Sequence, residues 1–162
     1  MTDEAGTGSL VGHRADGCII TAHLLVSDVL GRWLVLRTAT DHSRWQLPGG
    51  RAEPRESPRR AAERETREEI GLDLPAHELL ITAWVAGNPG RRDRLSLIFG
   101  TRTVTTADLD AITLGTSEVD QWRLIRDSEA NGAMHPLLAE RLSHLTSVGP
   151  GGYIERQGVR RR

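Results

Sequence analysis

Leu47 to Leu72 reads LPGGRAEPRESPRRAAERETREEIGL, a glycine turn followed by a run of arginine and glutamate with helix signals at both ends. Ser57 is a good N-cap, Pro58 suits the first helical position and Gly71 supplies a left-handed residue after the last turn, so the spacing predicts a helix over 58–70. At about 100° per residue, Glu65, Glu68 and Glu69 fall within an arc of roughly 100°. Such crowding is unfavourable, since a like-charged i,i+4 pair such as Glu65 and Glu69 costs about 0.2–0.5 kcal/mol in water and more where water is excluded. A cation reverses the sign. Carboxylate oxygens with no histidine or cysteine beside them suit a hard ion, Mg²⁺ or Mn²⁺, which commonly shares its remaining positions with phosphate. Phosphate chemistry is the first expectation.

The rest of the stretch serves to place those acids. Ala61 and Ala62 are small enough to let the helix lie close to an underlying layer, and Arg64, four residues before Glu68, can hold that carboxylate. Pro48-Gly49-Gly50 opens backbone conformations closed to other residues, so its carbonyls and amides can approach a metal or a phosphate.

Arginine and glutamate alternating along a helix usually make only a solvated, salt-bridged face. The full arrangement argues for more. It resembles the Nudix box: Gly, five residues, Glu, seven residues, then Arg-Glu-U-x-Glu-Glu-x-Gly-U with U usually apolar. Here the fixed positions are Gly50, Glu56, Arg64, Glu65, Glu68, Glu69 and Gly71, and Ile70 and Leu72 flank the last of them. Thr66 stands where an aliphatic residue is usual, and Arg55 where many members have glycine.

The chain has 162 residues, enough for one domain with a substantial core, expected over 17–147 with flexible ends at 1–16 and 148–162. A net charge of −1 gives no basic footprint for polymeric nucleic acid. All 21 basic residues are arginine, which excludes Schiff-base lysines and the P-loop lysine and leaves phosphate to arginine, backbone or metal. Cys18, the one cysteine, lies in an apolar run and reads as a buried structural thiol. The N-terminus lacks the pattern of a secretory leader and no apolar run is long enough for a membrane span, so the expected setting is cytoplasmic, with no membrane partner.

Cys18–Val26 and Trp33–Leu36 read as strands that pair as a hairpin. Trp45 reads as core. Glu78–Ala86 and Leu95–Val104 form a second hairpin around a turn whose Arg91 and Arg92, with the adjacent Arg94, are candidates for an anionic ligand. Val119–Ile125 reads as a strand and His135–Leu145 as an amphipathic helix, followed by a mobile tail rich in glycine and arginine. The elements make an α+β arrangement with helices packed on a sheet. The resemblance implies the Nudix fold, an α/β/α sandwich around a mixed sheet.

It also implies hydrolysis of a nucleoside diphosphate linked to a further group X, by attack of water on phosphorus. The implied metal ligands are Glu65, Glu68, Glu69 and the Gly49 carbonyl, with Glu65 and Glu68 also candidates for the base and Arg64, Glu56 and Gly50 in support. Many relatives draw a further ligand or base from the segment before a late strand, where Glu118 is the choice over Asp120. Nucleotide sugars, ADP-ribose and nucleoside triphosphates are the candidate small-molecule substrates, and a homodimer is left open. Pro89 loosely resembles a proline of ADP-ribose hydrolases, with Arg94 nearby where an acidic residue often follows in them. The alternative is a Nudix-like domain that senses a nucleotide without hydrolysing it; such domains often lose box carboxylates, and here all are present.

Overall fold

The computed structural model describes residues 17–40, 42–115 and 117–156; the lead-in over 1–16 and the last residues, 157–162, lie outside it. In chain order the elements are β1 (Ile19–Leu25), β2 (Trp33–Thr38), β3 (Trp45–Gln46), β4 (Gly49–Arg51), α1 (Pro58–Ile70), β5 (Leu79–Val85) and β6 (Arg94–Gly100). There follow α2 (Thr106–Asp110), β7 (Val119–Ile125), a single 3₁₀ turn, α3 (Ala130–Ala133), α4 (Pro136–Val148) and β8 (Gly152–Arg156).

Two sheets result. The larger runs β4-β1-β6-β5-β8 and is mixed, because β1 pairs parallel with β6 and β5 parallel with β8 while its other contacts are antiparallel. The smaller, β3-β2-β7, is antiparallel throughout. Ala22 and Leu24 on one face of β1, and Val26 just beyond its end, pack with Ala61, Ala62 and Ile70 of α1, together with Leu34 and Leu36 of β2. A second core gathers Ile81, Ala83 and Ile98 with Leu138, Ala139 and Leu142 of α4, together with Trp33 and Val35 of β2. The mixed sheet therefore lies between α1 and α4, the expected α+β sandwich. β2 feeds alternate residues into both cores, which is why Trp33–Leu36 is apolar without a break. Ala61 and Ala62 are wholly buried, so a larger side chain at Ala62 would push α1 and its carboxylates off β1 at a cost of about 1–3 kcal/mol.

The helix over 58–70 forms as its signals predict. Ser57 accepts the N–H of Arg60, and the N–H of Gly71 donates to the Arg67 carbonyl at 2.9 Å. Among the described residues no helix is long and apolar enough to cross a membrane.

Three expectations need correction. β1 and β2 do not form a hairpin ladder, because β1 has both edges taken by β4 and β6, and β2 by β3 and β7. Their backbones bond only near the turn, at the Ser27–Trp33 bridge and where the Leu34 N–H donates to the Val26 carbonyl. The tail after Val148 is not loose throughout, since Gly152–Arg156 adds a strand to the edge of β5 and Arg156 pairs with Glu140 of α4. Finally, Asp120 does not lie with the apolar residues of β7. The register slips between Arg37 and Thr38 opposite it, and this bulge turns Asp120 to solvent while Val119, Trp122 and Leu124 all reach the α1 core.

Candidate active site

The turn and the acidic helix are joined at one buried carboxylate. Glu69 is 7% exposed, and its Oε2 accepts the backbone N–H of Gly49 at 2.8 Å. Glycine is required at Gly49, while at Gly50 a side chain would displace the Glu65 carboxylate. Gly49 has φ +132° and a Cβ there would lie 2.3 Å from the Ala22 carbonyl oxygen; a Cβ on Gly50 would lie 2.6 Å from the carboxyl carbon of Glu65. Strand β4 can thus run hard against β1 and α1, bringing the turn's backbone beside the helix's acids.

Burial raises the Glu69 carboxyl to about 8, the Gly49 amide offsets part of this, and the charges of Glu65, Glu118 and Glu68 add to the rise. Glu65 is also raised, first by burial and then by Glu68 and Glu118, against the pull of Arg64. Glu118 therefore lies within electrostatic reach of Glu65 and Glu69. It is positioned by the start of β7, where its carbonyl accepts the Ala39 N–H at 2.8 Å. Asp120 is engaged elsewhere, by Arg37 at 3.2 Å and His42 at 3.1 Å.

Arg64 organises the solvent side of the cluster. Its Nε and Nη2 donate to the two oxygens of Glu56 at 2.8 and 2.9 Å, its Nη1 donates to Glu65 at 3.0 Å and Glu68 at 3.2 Å, and its Nη2 also reaches the Arg51 carbonyl. The Glu56 carboxyl is held down to about 2, chiefly by Arg64 and then by the Glu53 amide. Glu56 thus fixes Arg64, and Arg64 fixes two acids.

Among the described residues no trio of His, Cys, Asp or Glu side chains closes into a cation cage. Glu65 and Glu68 lean to Arg64 and Glu69 to the Gly49 amide. The donor set is nonetheless all oxygen, and it includes a buried carboxylate whose side-chain bond goes to one amide. That chemistry fits a hard divalent ion.

A cleft of about 600 Å³ opens beside the cluster, lined by Ile19 and Ile20 of β1, Arg51, Arg55, Arg64 and Glu65 among others. Cys18 is exposed and lines it too, which corrects the expectation of a buried thiol. Arg91, Arg92 and Arg94 are not among its walls. Arg91 closes the β5–β6 turn against Asn88, and Arg94 pairs in β6 with Ile19 and Val85. The sequence reading passed over Arg51 and Arg55 as ligand contacts, although the arginine at a position where glycine is usual was the available signal. Trp45 is half-buried and stacks with Arg123 at 4.5 Å, in keeping with a packing role.

The family model described as NUDIX domain matches residues 19–148. No curated protein sequence matches the chain. Among solved structures, the MutT protein from Methanosarcina mazei Go1 is similar at a TM-score of 0.69 and 18% identity, covering 83% of this chain and 96% of that one. A C. elegans Ap4A hydrolase is similar at 0.59 and 21% identity, covering 80% and 98%. An ADP-ribose pyrophosphatase from Streptococcus suis 89-1591 is similar at 0.59 and 17%, covering 87% and 99%. At these identities the three share the fold. The matched segment runs from the first residue of β1 to the last of α4 with the acidic helix inside it, and the chain belongs to the NUDIX family.

Proposed function

We propose that the protein hydrolyses a diphosphate bond in a nucleoside diphosphate linked to another moiety, with Mg²⁺ or Mn²⁺, by attack of water on phosphorus. The observation that carries this reading is Glu69, a carboxylate 7% exposed and raised to about 8 within reach of the charges of Glu65, Glu68 and Glu118. Folding that gathers three acids around a buried fourth is unfavourable without a cation, and a hard ion shared with phosphate supplies one.

Glu65, Glu68, Glu69 and the Gly49 carbonyl would hold the metal. Bound there, a divalent ion offsets the charge of the diphosphate and lowers the pKa of a water. Arg64 keeps Glu65 and Glu68 aligned, and Glu56 keeps Arg64 in place. Glu118, outside the box and on a different element, would take the proton from the attacking water, its charge lying within reach of Glu65 and Glu69. The substrates for which two of the neighbours are named, Ap4A and ADP-ribose, support a nucleotide-type small molecule as the class. A cytoplasmic setting accords with such a substrate.

The experiment is turnover of a nucleotide panel with product analysis, with Mg²⁺ and with chelator. We expect metal-dependent release of a nucleoside monophosphate or of phosphate, and loss of turnover in Glu69→Gln with folding intact. Binding of nucleotides without turnover of any of them would favour the sensing alternative.

A further inference from the structure

We propose that the cleft beside the carboxylates is an anion subsite, in which Arg55 and Arg51 grip a terminal phosphate group, so that substrates ending in a phosphate monoester are preferred over those ending in a sugar. This rests on the hydrolase reading and adds the end of the substrate that the cleft receives. Three cations line the cleft: Arg51, Arg55 and Arg64. Arg64 is committed to Glu56, Glu65 and Glu68. Among the described residues, neither the Arg51 nor the Arg55 guanidinium has a hydrogen bond or ion pair, not even with Glu53, which lies between them on the rim. The chain has no lysine to do this work.

Arg55 is also the only non-glycine residue with positive φ among the described residues, at +68°. That conformation is unfavourable for a side chain, and such outliers persist where the surroundings or the function require them. No contact of the guanidinium repays it here. The cleft walls contribute no aromatic ring on which a base could stack; their apolar part is Cys18, Ile19, Ile20, Ala52 and Pro54. Two unpaired guanidiniums without a stacking platform match the fork geometry and charge of a terminal phosphate.

The test uses the full chain and two independent measurements. In the first, kcat and KM are measured for a nucleoside triphosphate and for ADP-ribose with Mg²⁺. Arg55→Ala should lower the ratio of kcat/KM for triphosphate over ADP-ribose about tenfold, mostly through KM, and Arg55→Lys should recover part of it. Arg55→Gly separates this from a structural role: relief of the positive φ should keep the melting temperature at or above wild type while the selectivity falls as in Arg55→Ala. In the second, Cys18, the only cysteine, is alkylated in chelator with and without inorganic tripolyphosphate. The probe should slow alkylation of wild type and not of the Arg51→Ala, Arg55→Ala double variant. Turnover with unchanged selectivity, and protection that persists in the double variant, would overturn the subsite while leaving the hydrolase reading intact. Absence of any turnover, with protection lost only in the double variant, would sink the hydrolase reading and keep the phosphate site.

Discussion

Gly49 donates its backbone N–H to Oε2 of Glu69 across 2.8 Å, tying the glycine turn to the third carboxylate of the acidic helix. One hydrogen bond is modest compensation for burying a charge. Under the proposed function the same carboxylate would carry both the affinity for a metal and a stability cost in the metal-free protein.

That cost has a pH signature. The folded Glu69 carboxyl stands at about 8, above an unfolded value of about 4.3, so the folded state holds the proton more tightly and stability falls as pH rises through that window. His23, lowered to about 4 by burial, works the other way: stability rises from about pH 4 to about 6.5 as the unfolded imidazole gives up its proton. The two offset one another up to about pH 6.5. Glu56, held near 2, acts only at lower pH. We expect metal-free protein to lose on the order of 1–2 kcal/mol between about pH 6.5 and 8. Denaturant unfolding in chelator should show that fall in wild type and much less of it in Glu69→Gln, whose amide oxygen can still accept the Gly49 N–H. Parallel curves for the two proteins would remove Glu69 as the source.

Glu118 and Asp120 differ in what holds them, and activity should follow that difference. Glu118 perturbs Glu65 and Glu69, whereas Asp120 is spent on Arg37 and His42. A general base typically contributes about 10²–10⁴-fold. We expect Glu118→Gln to lower kcat at least about tenfold with the melting temperature nearly unchanged, and Asp120→Asn to keep kcat. The reverse pattern would move the role to Asp120.

Thr66 explains itself less well than its neighbours. It is fully buried on α1 where relatives usually have an aliphatic residue, and its hydroxyl has no partner. An unmet buried hydroxyl costs about 1–3 kcal/mol, and valine has the same shape. Thr66→Val should therefore stabilise the protein by about 1 kcal/mol, seen as a rise of a few degrees in melting temperature. A fall would mean that the hydroxyl is satisfied in solution.

How far the sequence could be read depended on the range of the interactions. Helix α1 was legible to its end residues because its cap, first-turn proline and closing glycine are local, and its alanines announced the close approach to β1. The box carboxylates were legible for the same reason, being one helix face. Strand partners were not. Adjacent strands β1 and β2 suggested a hairpin, but which edges β4, β6, β3 and β7 would occupy depends on contacts far apart in the chain. The bulge at Asp120 broke the simple alternation. Arg55's strain was invisible to composition, since arginine reads as surface wherever it falls.

The last expectation concerns the tail, where composition pointed to a mobile end and the fold built a strand. β8 lies parallel along Ile81–Val85 of β5, the Gly151 N–H donates to the Leu80 carbonyl at 2.8 Å, and Arg156 is fastened to Glu140. Little apolar surface is involved, because Tyr153 is exposed and Ile154 only half-buried. The contribution is then a few backbone hydrogen bonds at about 1 kcal/mol each, set against the entropy of ordering five residues. Removing residues after Val148 should lower the melting temperature by about 2–6 °C. It should also bare the edge of β5 and favour self-association, as unpaired edges do. The carboxylate cluster draws nothing from this strand, so kcat per folded molecule should hold. Melting curves and light scattering over a range of protein concentrations decide it: a truncated chain that melts as the full one does and stays dispersed would show that β8 contributes nothing to the sheet in solution.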